Sequence, residues 1–259
     1  MRFPSPEAYA KRIVASVQDY SLLTRHAIGA VFSPPHYIAD TFTQMDYIGF
    51  GSIPIVILTG FFTGCVLTLQ SATSLQQFGA VNMTGRLVAL SMVKELGPVL
   101  TGLMVSGRNA SGMASELGSM KVTEQIDAMR ALGTDPVRKL VTPRLVATVF
   151  MMFFLTVIAD ACGILGGLLV AIGLLGLNGS AFMHTAFRSL VRGDVIEGLS
   201  KPLFSGFIIA TIGCFYGLRT TGGTQGVGRS TTRAVVTSSV LIILFDFLVT
   251  KLMIGIFGR

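Results

Sequence analysis

The sequence predicts an all-α integral membrane protein, with an N-terminal interfacial amphipathic helix, five transmembrane helices and a short cytoplasmic helix between spans two and three. Of its 259 residues, 51% are hydrophobic and 13% are charged, whereas soluble proteins carry roughly a quarter charged residues. Apolar runs of about 20 residues recur along the chain, and that length matches the ~30 Å hydrocarbon core of a bilayer. We therefore expect a chain that crosses the membrane several times.

The distribution of charge and of reactive side chains excludes several classes of function. The formal net charge is +7, but the Lys and Arg residues are dispersed between apolar runs and form no patch that would bind nucleic acid. Cys65, Cys162 and Cys214 lie inside apolar segments, without the spacing of a metal site or a disulfide framework. No catalytic or metal-ligand pattern is recognisable in the sequence, so we expect a chain that binds no cofactor and is not an enzyme.

The first 47 residues form a region of their own in this prediction. Between Glu7 and Val31, apolar residues alternate with charged ones, which makes the stretch too polar to span a bilayer. We expect a helix that lies in the membrane interface; a soluble helix packed on a partner is the alternative. Residues 48–259 are expected to form the transmembrane domain.

Five apolar segments make up the predicted transmembrane domain. They are Ile48–Leu69, Val88–Gly118, Leu145–Leu177, Pro202–Leu218 and Ala234–Phe257. The second and third are longer than one perpendicular crossing needs, so we expect them to tilt, kink or extend beyond the bilayer. Pro98 has no backbone N–H and is expected to kink the second segment near one end.

The side on which each loop lies follows from the basic residues. The N-terminal region and the segments 119–144 and 219–233 carry about twice as many Lys and Arg residues as the opposite side. This excess predicts that the N-terminus and both internal loops are cytoplasmic and that the C-terminus faces outward, which in a bacterial inner membrane is the periplasm.

Small residues at helical spacing mark close helix contacts in three of the segments. The ridges are Gly60 with Gly64, Gly107 with Ser111 and Ser115, and Gly163 with Gly167. Such ridges let helix backbones approach each other in lipid, where no hydrophobic force drives association. Packing within the chain and a seam between two copies are both open for each ridge.

Several charged side chains lie inside the predicted spans. Lys94 and Glu95 stand near the outer end of span two, where they either snorkel to the interface or line a lipid-accessible cavity and contact a headgroup. Arg108, Asp160 and Asp246 lie deeper, at about 15, 22 and 18 Å from the cytoplasmic ends of their helices. Similar depths permit an interhelical ion pair, most simply between Arg108 and Asp246, and a proton relay is the alternative.

Residues 122–132 predict a short helix beside the membrane. Thr123 and Glu124 supply a polar, acidic start, and Gly133 followed by Pro136 supplies the end. We expect this helix to continue from span two without a break and to leave polar side chains available to a soluble partner. An ordinary amphipathic loop at the membrane surface is the alternative.

One glycine-rich segment imitates a nucleotide site. Gly223–Ser230, with the sequence GTQGVGRS, has the spacing of a phosphate-binding loop, but Arg229 replaces the essential Lys. The segment lies between two spans, without the βαβ unit that holds such a loop. An ATP-driven system built on this chain therefore needs its ATPase on another chain.

Three linked motifs resemble the MlaE family of ABC-transporter permeases. They are KELGPVLTGLMVSGR from Lys94, ASELGSMKVTEQIDAMRALGTDP from Ala114 and GVGRSTTRAVVTSSVLIILFDF from Gly226. The resemblance implies the permease of an ATP-driven transporter that moves phospholipids or related lipids between the inner membrane and a periplasmic conduit of MCE-domain proteins. Such a transporter maintains the lipid asymmetry of the outer membrane.

The resemblance also implies an assembly. It predicts a homodimer in the bacterial inner membrane, seated on a cytoplasmic dimer of ABC ATPases that uses ATP and Mg²⁺. A ring of MCE-domain proteins would stand on the periplasmic side. Some systems of the family add a STAS-domain protein, and nothing in this sequence reports on one.

The same resemblance assigns roles to individual residues. Lys94 and Glu95 match the charged pair at a lipid-binding cavity between protomers, where the family often has Arg in place of Lys94. By matching positions, Glu124 to Leu132 form the coupling helix that docks on the ATPase. Its polar residues are Glu124, Gln125, Asp127 and Arg130.

Two other classes of function remain open on the residues alone. An ion-coupled secondary transporter would use Arg108, Asp160 and Asp246 as its ion path and would need no ATPase. A non-transporting membrane scaffold would explain the packed spans and the short helix, but it leaves a headgroup-sized polar site unexplained.

Overall fold

The computed structural model describes residues 6–257, in which the regular secondary structure is helical and no strand occurs. The helices are α1 (Pro6–Val31), α2 (Ile38–Gln76), α3 (Thr84–Ser91), α4 (Gly97–Val105), α5 (Ser111–Val122), α6 (Gln125–Ala131), α7 (Thr142–Gly173), α8 (Gly179–Ser189), α9 (Arg192–Leu218) and α10 (Gly223–Phe257). A 3₁₀ turn, Val81–Met83, precedes α3. Two π-helical turns, Met92–Leu96 and Ser106–Ala110, separate α3 from α4 and α4 from α5, and a third, Val137–Val141, leads into α7.

Five helical stretches among the described residues are long and apolar enough to cross a membrane. They are Ile38–Gln76, Val81–Val122, Val137–Gly173, Arg192–Leu218 and Gly223–Gly255. The predicted fold class and all five predicted spans are therefore confirmed. The expected boundary between residues 47 and 48 falls inside α2, which begins at Ile38.

The fourth span begins earlier than predicted. It starts at Arg192 instead of Pro202, because α9 includes the charged residues Asp194, Glu197 and Lys201. The prediction left these residues outside the span. Their burial, described below, shows how the fold accommodates them.

One helix of the structure, α8, was not predicted. Asn178 caps its start, because its side-chain oxygen accepts hydrogen bonds from the backbone N–H groups of Ser180 at 2.9 Å and Ala181 at 3.4 Å. Phe182 is 3% exposed and packs in one apolar cluster with Val88 of α3. Helix α8 therefore lies against the start of span two, and we call this side of the bundle the α8 end and the opposite side the α6 end.

Helices α2 and α7 pack through two of the predicted small-residue ridges. A Cβ atom on Gly64 would collide with the carbonyl oxygen of Gly163, and one on Gly60 would lie 2.7 Å from that of Ala159. These two ridges therefore form contacts within the chain. In contrast, a Cβ atom on Gly107 would meet nothing within 4 Å, so the third ridge starts on the surface of the single chain.

Helix α1 packs on the bundle through one side only. Ala27 and Ala30 are buried, and the hydroxyl groups of Tyr20 and Thr211 lie 2.8 Å apart. On the other side, apolar residues such as Val14 are exposed, at 65% of the side chain's reference surface. The amphipathic character of α1 agrees with the expected interfacial helix, and its position in the interface stays a prediction.

Candidate functional site

Six ionisable side chains from three spans form one group near the α8 end. This ionic cluster consists of Lys94 and Glu95 of the first π turn, Asp194, Glu197 and Lys201 of α9, and Asp246 of α10. All six belong to helical stretches that are long and apolar enough to cross a membrane. Charges at such positions need protein partners or a polar ligand.

Lys201 is the centre of the ionic cluster. Its side chain is 2% exposed, and its Nζ lies 2.6 Å from Glu95 Oε2 and 3.1 Å from Asp246 Oδ1. It also donates a hydrogen bond to the main-chain carbonyl of Lys94 at 2.8 Å. Because Pro98 has no N–H, this carbonyl lacks the donor that an α-helix would provide four residues later. Three oxygens thus surround an ammonium group that has three donors.

Lys94 and Glu95 are neighbours in sequence but have different partners. Lys94 Nζ lies 3.0 Å from Glu197 Oε2 and 3.3 Å from Asp194 Oδ1. Glu95 Oε1 accepts a hydrogen bond from Thr250 Oγ1 of α10 at 3.1 Å. Consecutive helical side chains point about 100° apart, so the two residues connect span two to different groups on the fourth and fifth spans.

Asp194, Glu197 and Lys201 share one side of α9, since positions i, i+3 and i+7 lie on the same face. Asp194 also closes the helix start, because its Oδ2 accepts a hydrogen bond from the backbone N–H of Val191 at 3.2 Å. The spacing of Asp194, Glu197 and Lys201 is visible in the sequence, but the prediction placed all three outside the spans. These residues and Thr250 were therefore missed as members of the site.

A cavity of about 250 Å³ opens beside the ionic cluster. It is lined by Lys94, Val191, Gly193, Asp194, Glu197, Met253 and Ile254. Charged side chains from span two and α9 meet apolar ones from α10 here, which suits a molecule with a polar head and an apolar tail. Glu197 Oε1 is buried without a hydrogen-bond partner, so this carboxylate is only partly compensated by Lys94.

The predicted ion pair between Arg108 and Asp246 is wrong. Arg108 Nη1 donates to Ser52 Oγ at 3.0 Å and to the carbonyl of Tyr47 at 3.2 Å, and its guanidinium lies 5.2 Å from the centre of the Tyr47 ring. Asp246 pairs with Lys201 instead. Similar depth in two helices does not place their side chains on facing sides: Arg108 points toward α2, and Asp246 points toward α9.

Asp160 belongs to neither arrangement. It is 7% exposed on α7, and its Oδ1 has no hydrogen-bond partner. Among the described residues it also makes no ion pair. The three deep charges of the prediction thus have separate surroundings, and no ion pair joins any two of them.

The short helix after span two is present as α6, but it does not continue span two without a break. Helix α5 ends at Val122, and Glu124 adopts a left-handed backbone with φ of 60° before α6 begins. Thr123 Oγ1 donates to the carbonyl of Ser119 at 2.9 Å, so Thr123 closes α5 and does not cap α6. At the other end, Gly133 has φ of 78° and terminates the helix as predicted.

Two contacts hold α6 against the bundle despite this turn. Ile126 is fully buried in an apolar cluster with Leu117 of α5 and Leu140. Lys121 Nζ lies 2.7 Å from Asp127 Oδ2, and this hydrogen bond holds the pKa of Asp127 below its usual range. An apolar anchor and an ion pair therefore connect α6 to α5.

The predicted polar side of α6 is exposed. Its residues Glu124, Gln125, Asp127 and Arg130 all have exposed side chains. Beyond the helix, Asp135 Oδ2 lies 2.9 Å from His26 Nε2, and Arg138 donates to the carbonyl of Pro34 at 2.9 Å. The α6 end thus combines a free polar helix face with loops tied to α1 and to the connection before α2.

The bundle and its buried ionic cluster define a multi-pass membrane protein with a polar site inside its spanning region. The profile of the family described as Permease MlaE matches residues 41–252. The chain is 44% identical over 242 residues to a probable ABC transporter permease protein of Rickettsia typhi, with 93% of each chain covered. The chain thus belongs to the MlaE permease family, as the sequence motifs indicated.

Two further relatives come from distant organisms. The chain is 36% identical over 213 residues to the intermembrane phospholipid transport system permease protein MlaE of Haemophilus influenzae, with 82% of each chain covered. It is 37% identical over 212 residues to the chloroplastic protein TRIGALACTOSYLDIACYLGLYCEROL 1 of Arabidopsis thaliana, covering 82% of this chain and 61% of that protein. Family membership and the five apolar helices indicate a transporter permease subunit of the inner membrane.

Proposed function

We propose that this chain is the permease of an ATP-driven transporter that moves phospholipids or related lipids between the inner membrane and a periplasmic conduit of MCE-domain proteins. Its role would be to maintain the lipid asymmetry of the outer membrane. The observation that carries the proposal is the ionic cluster, which lies inside apolar spans and borders a cavity with one apolar wall. The name of the Haemophilus influenzae relative supports phospholipid as the cargo.

The lipid headgroup would bind at the edge of the ionic cluster. The side chains of Lys94 and Glu95 are 28% and 39% exposed, while that of Lys201 is 2% exposed. Lys94 and Glu95 are therefore the groups that a headgroup can reach, and Lys201 positions Glu95 from behind. A phosphate at Lys94 has to replace Asp194 or Glu197 as the partner of its ammonium group, so headgroup binding would rearrange this part of the site.

Force would enter the permease at the α6 end. Two copies of the chain, seated on a cytoplasmic ATPase dimer, would present two α6 helices to it. The polar residues of α6 are exposed, whereas Ile126 and the ion pair between Lys121 and Asp127 connect the helix to α5. Movement of α6 would thus pass along span two to the π turn that carries Lys94 and Glu95, and would alter the cavity there.

In the proposed arrangement the α6 end would lie in the cytoplasm and the ionic cluster would lie toward the periplasm. The distribution of basic residues supports this orientation, with a cytoplasmic N-terminus and a periplasmic C-terminus. The MCE-domain ring would then receive lipid at the α8 end. A STAS-domain protein is an additional candidate partner on the cytoplasmic side.

Lipid transfer by the purified complex in proteoliposomes tests the proposal. With ATPase and MCE subunits present, Lys94→Ala should lower ATP-dependent transfer of a fluorescent phospholipid by about tenfold or more, because a charge-assisted hydrogen bond is lost. The matched control is Lys251→Ala, since Lys251 is an exposed lysine of α10. Transfer that follows an ion gradient and ignores ATP would contradict the proposal and favour a secondary transporter.

A further inference from the structure

Asp160 is a buried carboxyl group that the ionic cluster does not use. It is 7% exposed, and its Oδ1 has no hydrogen-bond partner. The carboxyl group packs directly against Gly97, where any Cβ atom would collide with Oδ1. Oδ1 is enclosed at this contact, whereas Oδ2 has no hydrogen-bond partner among the described residues and is the oxygen that a donor in the neighbouring cavity can reach. Burying a polar group without a hydrogen bond costs stability, so a donor at Oδ2 would stabilise this carboxyl group.

A second cavity, of about 390 Å³, opens beside this carboxyl group. Helices α7, α8 and α9 provide its apolar walls, and Asp160 is the one ionisable side chain among the residues that line it. Leu165 and Phe187, at the rim, are 53% and 61% exposed, so the Asp160 cavity opens on the outer surface of the bundle. It is therefore accessible from the acyl chains of the bilayer.

The Asp160 cavity is separate from the cavity of the ionic cluster. No residue lines both, although they lie on two sides of span two: Val93 borders the Asp160 cavity and Lys94 borders the other. The Asp160 cavity also has no Lys or Arg in its lining. A phosphate group would find no cation there, so an ordinary phospholipid headgroup does not fit this site.

We propose that the Asp160 cavity binds a neutral lipid alcohol from the bilayer, with its hydroxyl group donating a hydrogen bond to Asp160 and its hydrocarbon body filling the apolar walls. The single hydroxyl group of the alcohol matches the single carboxyl group of the cavity. The other lining residues are apolar and would form no side-chain hydrogen bond with a second polar group. This inference goes beyond the proposed transport function and does not depend on it.

Photolabelling of the wild-type protein tests the proposal without any variant. The chain is placed in phosphatidylcholine nanodiscs with a diazirine-bearing hexadecanol, or with the methyl ether of the same probe, which cannot donate a hydrogen bond. The alcohol should label the peptides around Asp160 and Phe187 about tenfold more than the ether, because only the alcohol satisfies the carboxyl group. Equal labelling by both probes would show that the cavity is filled by any hydrocarbon, and would overturn the proposal.

Three variants then assign the selectivity to the carboxyl group. Asp160→Asn keeps an acceptor oxygen and should retain the preference for the alcohol, whereas Asp160→Ala should abolish it. The matched control is Thr156→Val, because Thr156 is buried on the same helix, donates to the carbonyl of Met152 and is not among the residues that line the cavity. An unchanged preference in Asp160→Ala that still folds, judged by size exclusion and thermal unfolding, would refute the assignment.

Discussion

Lys201 of the fourth span donates a hydrogen bond to the main-chain carbonyl of Lys94 in the second span, at 2.8 Å. Pro98 removes the helical donor of that carbonyl, so the buried lysine completes the backbone of span two at the π turn that carries Lys94 and Glu95. The same ammonium group holds the Glu95 carboxylate at 2.6 Å. One residue of α9 therefore stabilises both the backbone and a side chain of the candidate lipid site.

Replacing this lysine should destabilise the protein strongly. Lys201→Met keeps much of the side chain's length but leaves Glu95 and the Lys94 carbonyl without their shared donor and Asp246 without its counter-charge. Breaking a buried ion pair by removing one partner costs about 3–5 kcal/mol. We expect a clearly lower thermal unfolding temperature in detergent, measured against Lys251→Met, which changes an exposed lysine. Equal unfolding temperatures would contradict the central role of Lys201.

The contact between α2 and α7 should not tolerate a side chain at Gly64. In Gly64→Ala the new methyl group would collide with the carbonyl oxygen of Gly163, and overpacking of this kind costs about 1–3 kcal/mol. The matched control is Gly29→Ala in α1, where a Cβ atom meets nothing within 4 Å. The control should be neutral or slightly stabilising, since Ala favours helix over Gly by roughly 1 kcal/mol. The thermal unfolding temperatures of both variants test this prediction. A Gly64→Ala variant as stable as the wild type would refute the close contact between Gly64 and Gly163.

The exposed face of α6 should couple ATP hydrolysis to transport. The double variant Glu124→Ala with Asp127→Ala removes two exposed carboxylates from that face, and we expect the complex to hydrolyse ATP while lipid transfer falls about tenfold. A double change at the opposite end, Gln76→Ala with Gln77→Ala, alters two exposed residues and should leave both rates unchanged. Normal lipid transfer by the α6 variant would rule out the coupling role.

Acid should remove the stabilisation that the ion pair between Lys121 and Asp127 gives to α6. Because the hydrogen bond from Lys121 lowers the pKa of Asp127 in the folded protein, the stabilisation is present above the unfolded pKa of about 3.9 and is lost as the pH falls through the folded pKa. Amide hydrogen exchange in α6 should therefore be faster in Asp127→Asn than in the wild type at pH 7. Once the pH lies below the folded pKa of Asp127, the two proteins should become alike. A difference that persists unchanged in acid would exclude the ion pair as its cause.

Several features of the fold follow from single segments and were predictable. The length of each apolar run sets the number of spans, and the ridges of Gly60 with Gly64 and Gly163 with Gly167 indicate close helix contacts. Gly133 marks the end of α6, because its left-handed backbone is a property of that residue alone, whereas Pro136 begins the helical stretch that leads into α7. These are local properties, so a pattern read along one segment captures them.

Contacts between segments were predicted less well. Depth along the helices suggested Arg108 with Asp246, yet the side chains point toward different neighbours, and Asp246 meets Lys201 instead. The first part of α9 was predicted to lie outside the spans, whereas in the structure its Asp194 and Glu197 are compensated by Lys94 from another helix. A charge is costly in a membrane only while it lacks a partner, and the partner here is remote in sequence.

The sequence by itself determined the membrane class, the number of spans, the family and the position of the exposed helix α6. These depend on hydrophobicity, residue spacing and motifs, which act within one segment of the chain. Only the tertiary structure decided which charges meet, that Lys201 completes the backbone at Lys94, and that Asp160 stays without a protein partner beside a cavity. The reason is that helical periodicity defines the depth and face of a residue, whereas packing between helices decides which faces come together.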